Sequence, residues 1–535
     1  MTNALYYGDN LHVLREHIKD ESVDLVYLDP PFNSNANYNL LFKAPGGEQS
    51  QAQIEAFEDT WHWNEHAELA FDEVMKSGNS NAADMLRAMR SFLGENDMMA
   101  YLAMMAVRLI ELHRVLKKTG SLYLHCDPTA SHYLKILLDA VFGAGGNFRN
   151  EIIWKRAHTV KGNVGQGSKF FGINTDTIFF YTKSNDYKFF QPFSEYSEEY
   201  IEGFYKYVEP DGRRYRLISM IGPGGAAKGN PEYEVMGVKR FWRYSKKKMQ
   251  ELIDNGMVVQ SNPGTVPSRK QYLDQGKGVS VQSLWDDIPA LSASSAERLG
   301  YPTQKPVALL ERILSASSNE GDVVLDPFCG CGTTVHAAQK LNRQWIGIDV
   351  THLAISLIEK RLKDAFPGVQ FEVHGVPKDA SGAADLAKRD KYQFQWWAVS
   401  LVDAIPFAGK KKGADGGIDG LIYFKPDGKT TERAIVSVKG GDNVSVAMMR
   451  DLKGVLDREK APMGIFLSLV EPTKPMIAEA AAAGIYETEF GKFPRLQILT
   501  VEDLFAGKRP QIPFGHSEGY KKAAKETKSN QGKLL

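Results

Sequence analysis

Two short loops, each placed directly after an apolar run, constrain the fold of this chain more than any other feature. The first run, at residues 23–28, is followed by the tetrapeptide Asp29-Pro30-Pro31-Phe32. The second run, at residues 323–325, is followed by Asp326-Pro327-Phe328-Cys329-Gly330-Cys331-Gly332-Thr333-Thr334. Apolar residues recur at helical spacing from Tyr101 to Leu116, and we expect Gly120 to close that helix before a strand at 121–125. This alternation of helix and strand predicts a doubly wound α/β sheet.

The residues of the first loop suit one kind of chemistry. Asp29 offers a carboxylate, Pro30 a backbone carbonyl fixed by the following proline, and Phe32 an aromatic ring. These are the groups needed to hold the exocyclic amine of a flat heterocycle for alkylation. The glycine-rich second loop is the natural complement of such a site, and together the two loops indicate amine methylation.

With both motifs in place, roughly residues 3 to 375 resemble the amino-group DNA methyltransferases that depend on S-adenosylmethionine. The subclass is the one whose catalytic segment precedes the cofactor segment. The resemblance implies that Asp29, Pro30, Pro31 and Phe32 act on a base flipped out of double-stranded DNA. Adenine N6 is favoured over cytosine N4, the alternative, because cytosine enzymes of the family more often carry Ser at the position of Asp29.

The resemblance also implies the cofactor site. Asp9, after Gly8, would contact the adenine end of S-adenosylmethionine, although an Asp at this position is also an ordinary helix cap. Thr303 and Lys305 would lie against the methionine moiety. Asp349 follows the glycine loop at the spacing that suits hydrogen bonds to ribose hydroxyls. The remaining predicted cofactor residues lie in the glycine loop and are Asp326, Phe328, Gly330, Gly332 and Thr333.

Basic residues predict where DNA is held. The strands expected at 151–154 and 177–181 flank a basic, glycine-rich loop that suits phosphate contacts. Residues 191–295 interrupt the α/β alternation, and their interleaved basic and aromatic residues suit phosphate and base contacts in a target-recognition region. A solvated basic face is the alternative. The predicted DNA-binding residues are Lys155, Arg156, Lys161, Arg240, Arg243 and Lys246.

A second domain is expected after a linker at residues 376–385. The segment Gly416-Gly417-Ile418-Asp419 and the strand ending in Lys439 resemble the Mrr-like restriction endonucleases of the PD-(D/E)xK fold. The resemblance implies that Asp419 is a candidate Mg²⁺ ligand and that Lys439 orients water or stabilises phosphate charge. Ser437 replaces the expected Glu or Gln, and the preceding helix offers Gln395 in place of a Glu. The domain therefore either cuts DNA, making the chain a single-chain restriction-modification enzyme, or grips DNA without cutting.

A chain of 535 residues with 43% hydrophobic residues is too long to fold around one hydrophobic core, so we expect several domains. The expected parts are a catalytic half (1–190), the target-recognition region (191–295), a cofactor half (296–376), a restriction-endonuclease-like α/β domain (386–512) and a disordered tail (513–535). Lys+Arg and Asp+Glu balance at 65 each, so DNA binding must come from local basic surfaces. Three cysteines and the lack of a long apolar stretch or leader predict reduced thiols in a soluble cytoplasmic protein without membrane contact. A homodimer or further restriction or defence subunits are candidate partners.

Overall fold

The protein is described by a computed structural model. The described residues are 2–31, 62–143, 146–157, 171–292, 294–299, 301, 303–407, 416–427, 429–513 and 523–526, together with the backbone of 37–43 and 49–58. The chain divides into two compact units: one holds Met1–Phe190 and Ser283–Lys528, and the other holds Gln191–Gln282. Within the described ranges, we find no helix that is both long and apolar enough to cross a membrane.

The first part of the larger unit alternates strands and helices. The strands are β1 (Ala4–Tyr7), β2 (Val23–Leu28), β3 (Asn37–Lys43), β4 (Gln49–Glu58), β5 (Leu116–Cys126), β6 (Phe148–Lys155) and β7 (Thr175–Thr182). The helices are α1 (Asn10–His17), α2 (Glu65–Lys76), α3 (Ser80–Leu93), α4 (Asp97–Val115) and α5 (Ser131–Phe142).

The expected helix end at Gly120 is wrong. Helix α4 ends at Val115, and Leu116 already pairs with Val23 as the first residue of β5. Gly120 lies within that strand. A Cβ atom there would come within 2.9 Å of the Lys117 carbonyl oxygen, so glycine allows a close backbone approach instead of closing a helix.

The smaller unit is built from short antiparallel strands. Its strands are β8 (Phe193–Ser194), β9 (Tyr207–Val208), β10 (Arg214–Ser219), β11 (Glu232–Val235), β12 (Val238–Phe241), β13 (Val258–Val259), β14 (Ser268–Tyr272) and β15 (Val279–Ser280). Its helices are α6 (Glu198–Phe204) and α7 (Lys246–Asp254). Trp242, Met220 and Met249 are fully buried in its small core. This unit breaks the α/β alternation, as the sequence predicts for residues 191–295, but it ends at Gln282.

The chain then returns to the main sheet. The strands are β16 (Leu284–Trp285), β17 (Val323–Asp326), β18 (Gln344–Asp349) and β19 (Glu372–His374), and the helices are α8 (Val307–Ser317), α9 (Thr333–Lys340) and α10 (His352–Ala365). The sheet has the order β16-β6-β7-β5-β2-β17-β18-β1-β19. Its central strands run parallel, which confirms the doubly wound α/β class.

The centre of this sheet places the two motif loops side by side. Strands β2 and β17 pair in parallel, with Leu325 opposite Val26, and both are buried along their whole length. Apolar runs of this kind are typical of parallel strands covered on both faces. The loops that follow both strands therefore leave the sheet at the same edge, where its strand order reverses and where ligands bind in open α/β sheets.

The C-terminal domain is a second α/β layer. Its strands are β20 (Ile405–Pro406), β21 (Gly420–Phe424), β22 (Glu432–Lys439), β23 (Met463–Ser468), β24 (Ile485–Thr488), β25 (Gly491–Pro494) and β26 (Leu496–Thr500). Its helices are α11 (Ala380–Arg389), α12 (Lys391–Ser400), α13 (Val446–Glu459), α14 (Lys474–Ala482) and α15 (Val501–Phe505). The main sheet of this domain has the order β20-β21-β22-β23-β26.

The expected linker at 376–385 is wrong from Ala380 onward. Helix α11 begins there, and Ala383 and Leu386 are buried in the core of the C-terminal domain. The two domains also share a hydrophobic cluster, in which Tyr301 and Leu353 pack with residues of the C-terminal sheet such as Leu421. The domain thus adjoins the cofactor half without a spacer. The expected disordered tail lies outside the described residues except at 513 and 523–526.

Candidate active site

A cavity of about 360 Å³ opens where strands β1, β2, β17 and β18 end. Every described residue that the sequence predicts to be catalytic or cofactor-binding lines this cavity, apart from Gly332. Phe32 lies outside the described residues. The structure therefore brings together loops that are about 300 residues apart in sequence.

The glycine loop is shaped by two residues in the left-handed region of backbone conformation. Gly330 has φ +49° and Gly332 has φ +75°. A Cβ atom on Gly332 would lie 2.7 Å from Cγ1 of Ile358, so any side chain there would collide with helix α10. Gly332 thus allows the loop to pack closely against Ile358 of α10, while Gly330 and Thr333 line the cavity.

Asp349, at the end of β18, holds this loop in place. Its Oδ2 accepts a hydrogen bond from the Gly330 N–H at 2.9 Å, and its Oδ1 accepts from the Thr351 N–H and hydroxyl at 2.9 and 2.8 Å. Burial raises the pKa of Asp349 to about 6, although these hydrogen bonds act in the opposite direction. Asp349 is therefore both a wall of the cavity and a support for the loop.

Asp326 is a second buried carboxyl group in the same wall. Its Oδ1 accepts from the Phe328 N–H at 3.0 Å. Burial raises the pKa of Asp326 to about 7, and the hydrogen bonds from Thr334 and Phe328 only partly oppose that shift. The nearby charges of Asp29 and Asp349 raise it further. Two carboxyl groups at this edge thus titrate close to neutral pH.

Asp9 has the helix-cap geometry that the sequence left as an alternative. Its Oδ1 accepts from the N–H groups of Leu11 and His12, at the start of α1. Its Oδ2 accepts from Arg108 Nη2 at 2.7 Å, and Arg108 Nε donates to Asn10 Oδ1 at 2.6 Å. Asn10 in turn donates to the Pro327 carbonyl at 2.8 Å, which joins α1 to the glycine loop. Asn10 and Arg108 also line the cavity, and the sequence motifs point to neither of them.

Asp29 also lines the cavity, and it pairs with Lys305 through its Oδ2. Its other oxygen, Oδ1, is buried and has no hydrogen-bond partner among the described residues. A buried carboxylate oxygen without a donor is costly, and it is a strong acceptor for any N–H group that enters the cavity. The sequence predicts that Lys305 contacts the cofactor, and here its ammonium group contacts the predicted catalytic carboxylate.

Behind Asp29, a group of buried polar residues adjoins the cavity. Tyr27, which also lines the cavity, bonds to His125, and His125 bonds to Asp176. The sequence motifs do not single out Asp176. These contacts join residues 51 to 98 positions apart, so no local pattern reveals them.

The predicted DNA-binding residues lie in both units. Lys155 and Arg156 follow each other at the end of β6, and the Arg156 Nε lies 3.2 Å from Asp176 Oδ1. In the smaller unit, Arg240, Arg243 and Lys246 are exposed, the last as the first residue of α7. Lys161 lies outside the described residues.

The predicted nuclease residues lie on neighbouring strands of the C-terminal sheet. Asp419 directly precedes β21 and is buried; its Oδ1 accepts from Gln395 Nε2 at 2.7 Å. Its Oδ2 accepts from the Val438 N–H at 2.6 Å and the Ser437 hydroxyl at 3.3 Å. Lys439 ends β22.

The Mg²⁺ site at Asp419 stays a prediction. The described residues contain no group of three His, Cys, Asp or Glu side chains that could hold a metal ion. A cation at Asp419 would also have to replace N–H and O–H donors at both carboxylate oxygens. Mg²⁺ sites use one or two carboxylates with water and phosphate completing the shell, so Asp419 would have to give up some of these hydrogen bonds to bind the ion.

The sheet and the loops at its edge define the fold class of the S-adenosylmethionine-dependent methyltransferases. Residues 23–360 match the family model of the DNA methylases, and the chain belongs to that family. Residues 386–489 match the family model of a restriction endonuclease. Both families predicted from the motifs are thereby confirmed.

Two relatives illustrate the match. The Type II methyltransferase M.EcaI from Enterobacter cloacae is 29% identical over 365 residues, which are 68% of this chain and 69% of that protein. The Type III restriction-modification enzyme StyLTI Mod subunit from Salmonella typhimurium is 28% identical over 361 residues, which are 64% of this chain and 50% of that protein. Among solved structures, the M1.HpyAVI–SAM complex matches with 14% identity and a TM-score of 0.30, over 67% of this chain and 98% of that one.

Proposed function

We propose that the protein transfers a methyl group from S-adenosylmethionine to N6 of an adenine flipped out of duplex DNA, as part of restriction-modification or phage defence. The observation that carries this proposal is Asp29, which lines the cavity and whose buried Oδ1 has no hydrogen-bond partner among the described residues. An adenine amine would supply the missing donor.

The cavity fits the cofactor that the family uses. Its volume of about 360 Å³ lies in the range of small-molecule sites. Asp349 would accept hydrogen bonds from the ribose hydroxyls, and Phe328 would lie against the adenosine portion. When bound, S-adenosylmethionine supplies an activated methyl group on a sulfonium. Thr303 and the backbone of Gly330 complete the wall around it.

The residues of the first loop would act on the base. The amine lone pair is delocalised into the ring, which makes the amine a poor nucleophile. Asp29 and the Pro30 carbonyl would accept its two N–H groups and favour the pyramidal geometry needed for attack. The amine must lose one proton for each methyl group gained, and Asp29 would receive it, while Lys305, which pairs with Asp29 Oδ2, would stabilise the charge of the carboxylate. Phe32 would stack on the flipped base.

Adenine is preferred to cytosine because residue 29 is an Asp, and cytosine-N4 enzymes of the family more often carry Ser there. N4 of cytosine is the alternative target. DNA would be held by phosphate contacts from Lys155 and Arg156 and from the exposed basic residues Arg240 and Arg243.

A second candidate activity is DNA cleavage by the C-terminal domain. The match of residues 386–489 to a restriction endonuclease favours it, as do Asp419 and Lys439 on neighbouring strands. The hydrogen bonds to both oxygens of Asp419 favour the alternative, a domain that grips DNA. The resemblance to a Mod subunit makes separate restriction subunits candidate partners, beside a homodimer.

Methyl transfer from labelled S-adenosylmethionine to mixed-sequence duplex DNA, with and without Mg²⁺, tests the proposal. Asp29→Ala should abolish transfer but leave cofactor affinity within a few-fold, because the side chain faces the base. Asp186→Ala, which removes an exposed carboxylate from the same unit, is the matched control and should transfer normally. Transfer by Asp29→Ala within about tenfold of wild type, a loss below ~1.4 kcal/mol in the barrier, would refute the role of Asp29.

A further inference from the structure

Three polar side chains form a continuous hydrogen-bonded series next to Asp29, and we call them the polar triplet: Tyr27, His125 and Asp176. The Tyr27 hydroxyl lies 2.9 Å from His125 Nδ1, and His125 Nε2 lies 3.1 Å from Asp176 Oδ2. A carboxylate only accepts hydrogen bonds, so Nε2 carries the proton, and with a neutral imidazole the Tyr27 hydroxyl donates to Nδ1. Tyr27 precedes Asp29 by two residues, and both line the cavity.

The triplet is fully enclosed. Tyr27 is 2% exposed, His125 0% and Asp176 2%. Burying three polar groups is unfavourable unless each finds a partner, and removing one would leave the next without its hydrogen bond. Apolar residues would fill the same space at lower cost. A buried hydrogen-bonded series of this kind beside the cavity therefore points to a positioning role.

One cation lies beside Asp176 of the polar triplet, and a second lies beside Asp29. The Arg156 Nε is 3.2 Å from Asp176 Oδ1, yet that oxygen receives no directed hydrogen bond among the described residues, and the Arg156 side chain is 38% exposed. Lys305 pairs with Asp29. Burial raises the pKa of Asp176, but His125 and the charges of Lys305 and Arg156 more than offset this and lower it overall. Lys305 thus lies beside Asp29 and Arg156 beside Asp176.

We propose that the polar triplet positions the Asp29 segment for methyl transfer, and that Arg156 links this positioning to phosphate contact by the end of β6. The inference rests on the proposed function. Tyr27 fixes the end of β2 through His125, and Asp176 holds the other ring nitrogen of His125. Arg156 is 38% exposed, its Nε lies 3.2 Å from Asp176 Oδ1 and its Nη2 donates to the Ile173 carbonyl at 3.3 Å, so it would exchange these contacts for a phosphate when DNA binds. Asp176 is accordingly a positioning residue and does not touch the base.

Asp176→Asn tests the proposal, because Asn keeps the size and one acceptor but removes the charge. We expect the single-turnover rate of methyl transfer to fall by roughly tenfold to a hundredfold, the scale of a small misplacement of a reacting group. The affinities for S-adenosylmethionine and for DNA should stay unchanged. Glu151→Gln, an exposed acidic residue on β6, is the matched control and should keep the wild-type rate.

Arg156→Gln provides a second test, and by itself it should slow the single-turnover rate at saturating DNA, so a wild-type rate there would overturn the proposal even if Asp176→Asn does not fold. It should weaken DNA binding in any background, but it should slow the single-turnover rate only when Asp176 is present, because the two act through one contact. An equal loss of rate in both backgrounds would overturn the proposal. So would a rate for Asp176→Asn that matches Glu151→Gln, or a rate loss that only follows a loss of cofactor affinity. Absence of transfer by the wild-type protein would instead refute the proposed function.

Discussion

Replacing Asp349 by Ala should weaken the binding of S-adenosylmethionine by about 1–3 kcal/mol, or roughly fivefold to 150-fold, because a charge-assisted hydrogen bond to the ribose is removed. The structure adds a second cause, because the carboxylate also holds the Gly330 N–H at 2.9 Å and so shapes the glycine loop. Titration calorimetry with the purified protein at pH 8 measures the affinity directly. Asp186→Ala serves as the control. An unchanged affinity for Asp349→Ala would mean that the ribose is held elsewhere.

The pH dependence gives this prediction a second test. Burial raises the pKa of Asp349 to about 6, and ribose hydroxyls need the ionised carboxylate as acceptor. Affinity should therefore fall as the pH is lowered through about 6, and the Asp349→Asn variant should lose that part of the dependence. Asp326, with a pKa of about 7, titrates in the same range, so the difference between wild type and Asp349→Asn isolates Asp349. For stability the sign is reversed: a raised carboxyl pKa means that ionising Asp349 destabilises the folded protein as the pH rises from about 4 to 6.

Three further predictions concern other parts of the molecule. Gly332→Ala should destabilise the protein by about 1–3 kcal/mol, because φ is +75° and the new Cβ would meet Ile358, and a thermal melt showing no change would contradict this. Replacing Arg240, Arg243 and Lys246 together by Gln should lower the slope of log affinity for DNA against log salt by roughly one for each phosphate that these side chains neutralise, whereas an unaltered slope would make them a solvated face. If wild type cleaves DNA, Lys439→Ala should stop cleavage and spare methylation; if wild type cuts neither methylated nor unmethylated DNA at any divalent cation tested, the domain is a clamp, and its removal should raise the Michaelis constant for DNA.

The sequence predicts the central part of the fold because its signals are local. Short runs such as residues 23–28 and 323–325, each followed by a proline-containing loop, indicate buried strands, and the loops after them carry their own chemistry. The tight turn of the second loop can also be predicted from its glycines, since Gly332 adopts a backbone conformation that other residues rarely adopt. The same reliance on local signals misplaces the end of α4, because Gly120 looks like a helix stop but serves a close backbone approach within β5.

The remaining features depend on contacts between distant residues. The hydrogen bonds from Arg108 to Asp9 and from Asn10 to Pro327 span 99 and 317 positions, and each polar residue alone is compatible with an ordinary surface role. The segment from Ala380 is rich in Ala, Gly and Ser, a composition that suggests a linker. It forms a helix because Leu386 can be buried against the C-terminal core. The role of Lys305 rests on the resemblance alone, and its partner Asp29 cannot be found without the sheet that joins them.

The central claim is that the amine of adenine is the methyl acceptor and that Asp29 holds it. The most direct measurement is mass spectrometry of the nucleosides released from duplex DNA after incubation with S-adenosylmethionine that carries a deuterated methyl group. We expect the label in N6-methyldeoxyadenosine with wild type and with Asp186→Ala, and none with Asp29→Ala. Label in N4-methyldeoxycytidine, or equal labelling of adenine by Asp29→Ala, would contradict the account.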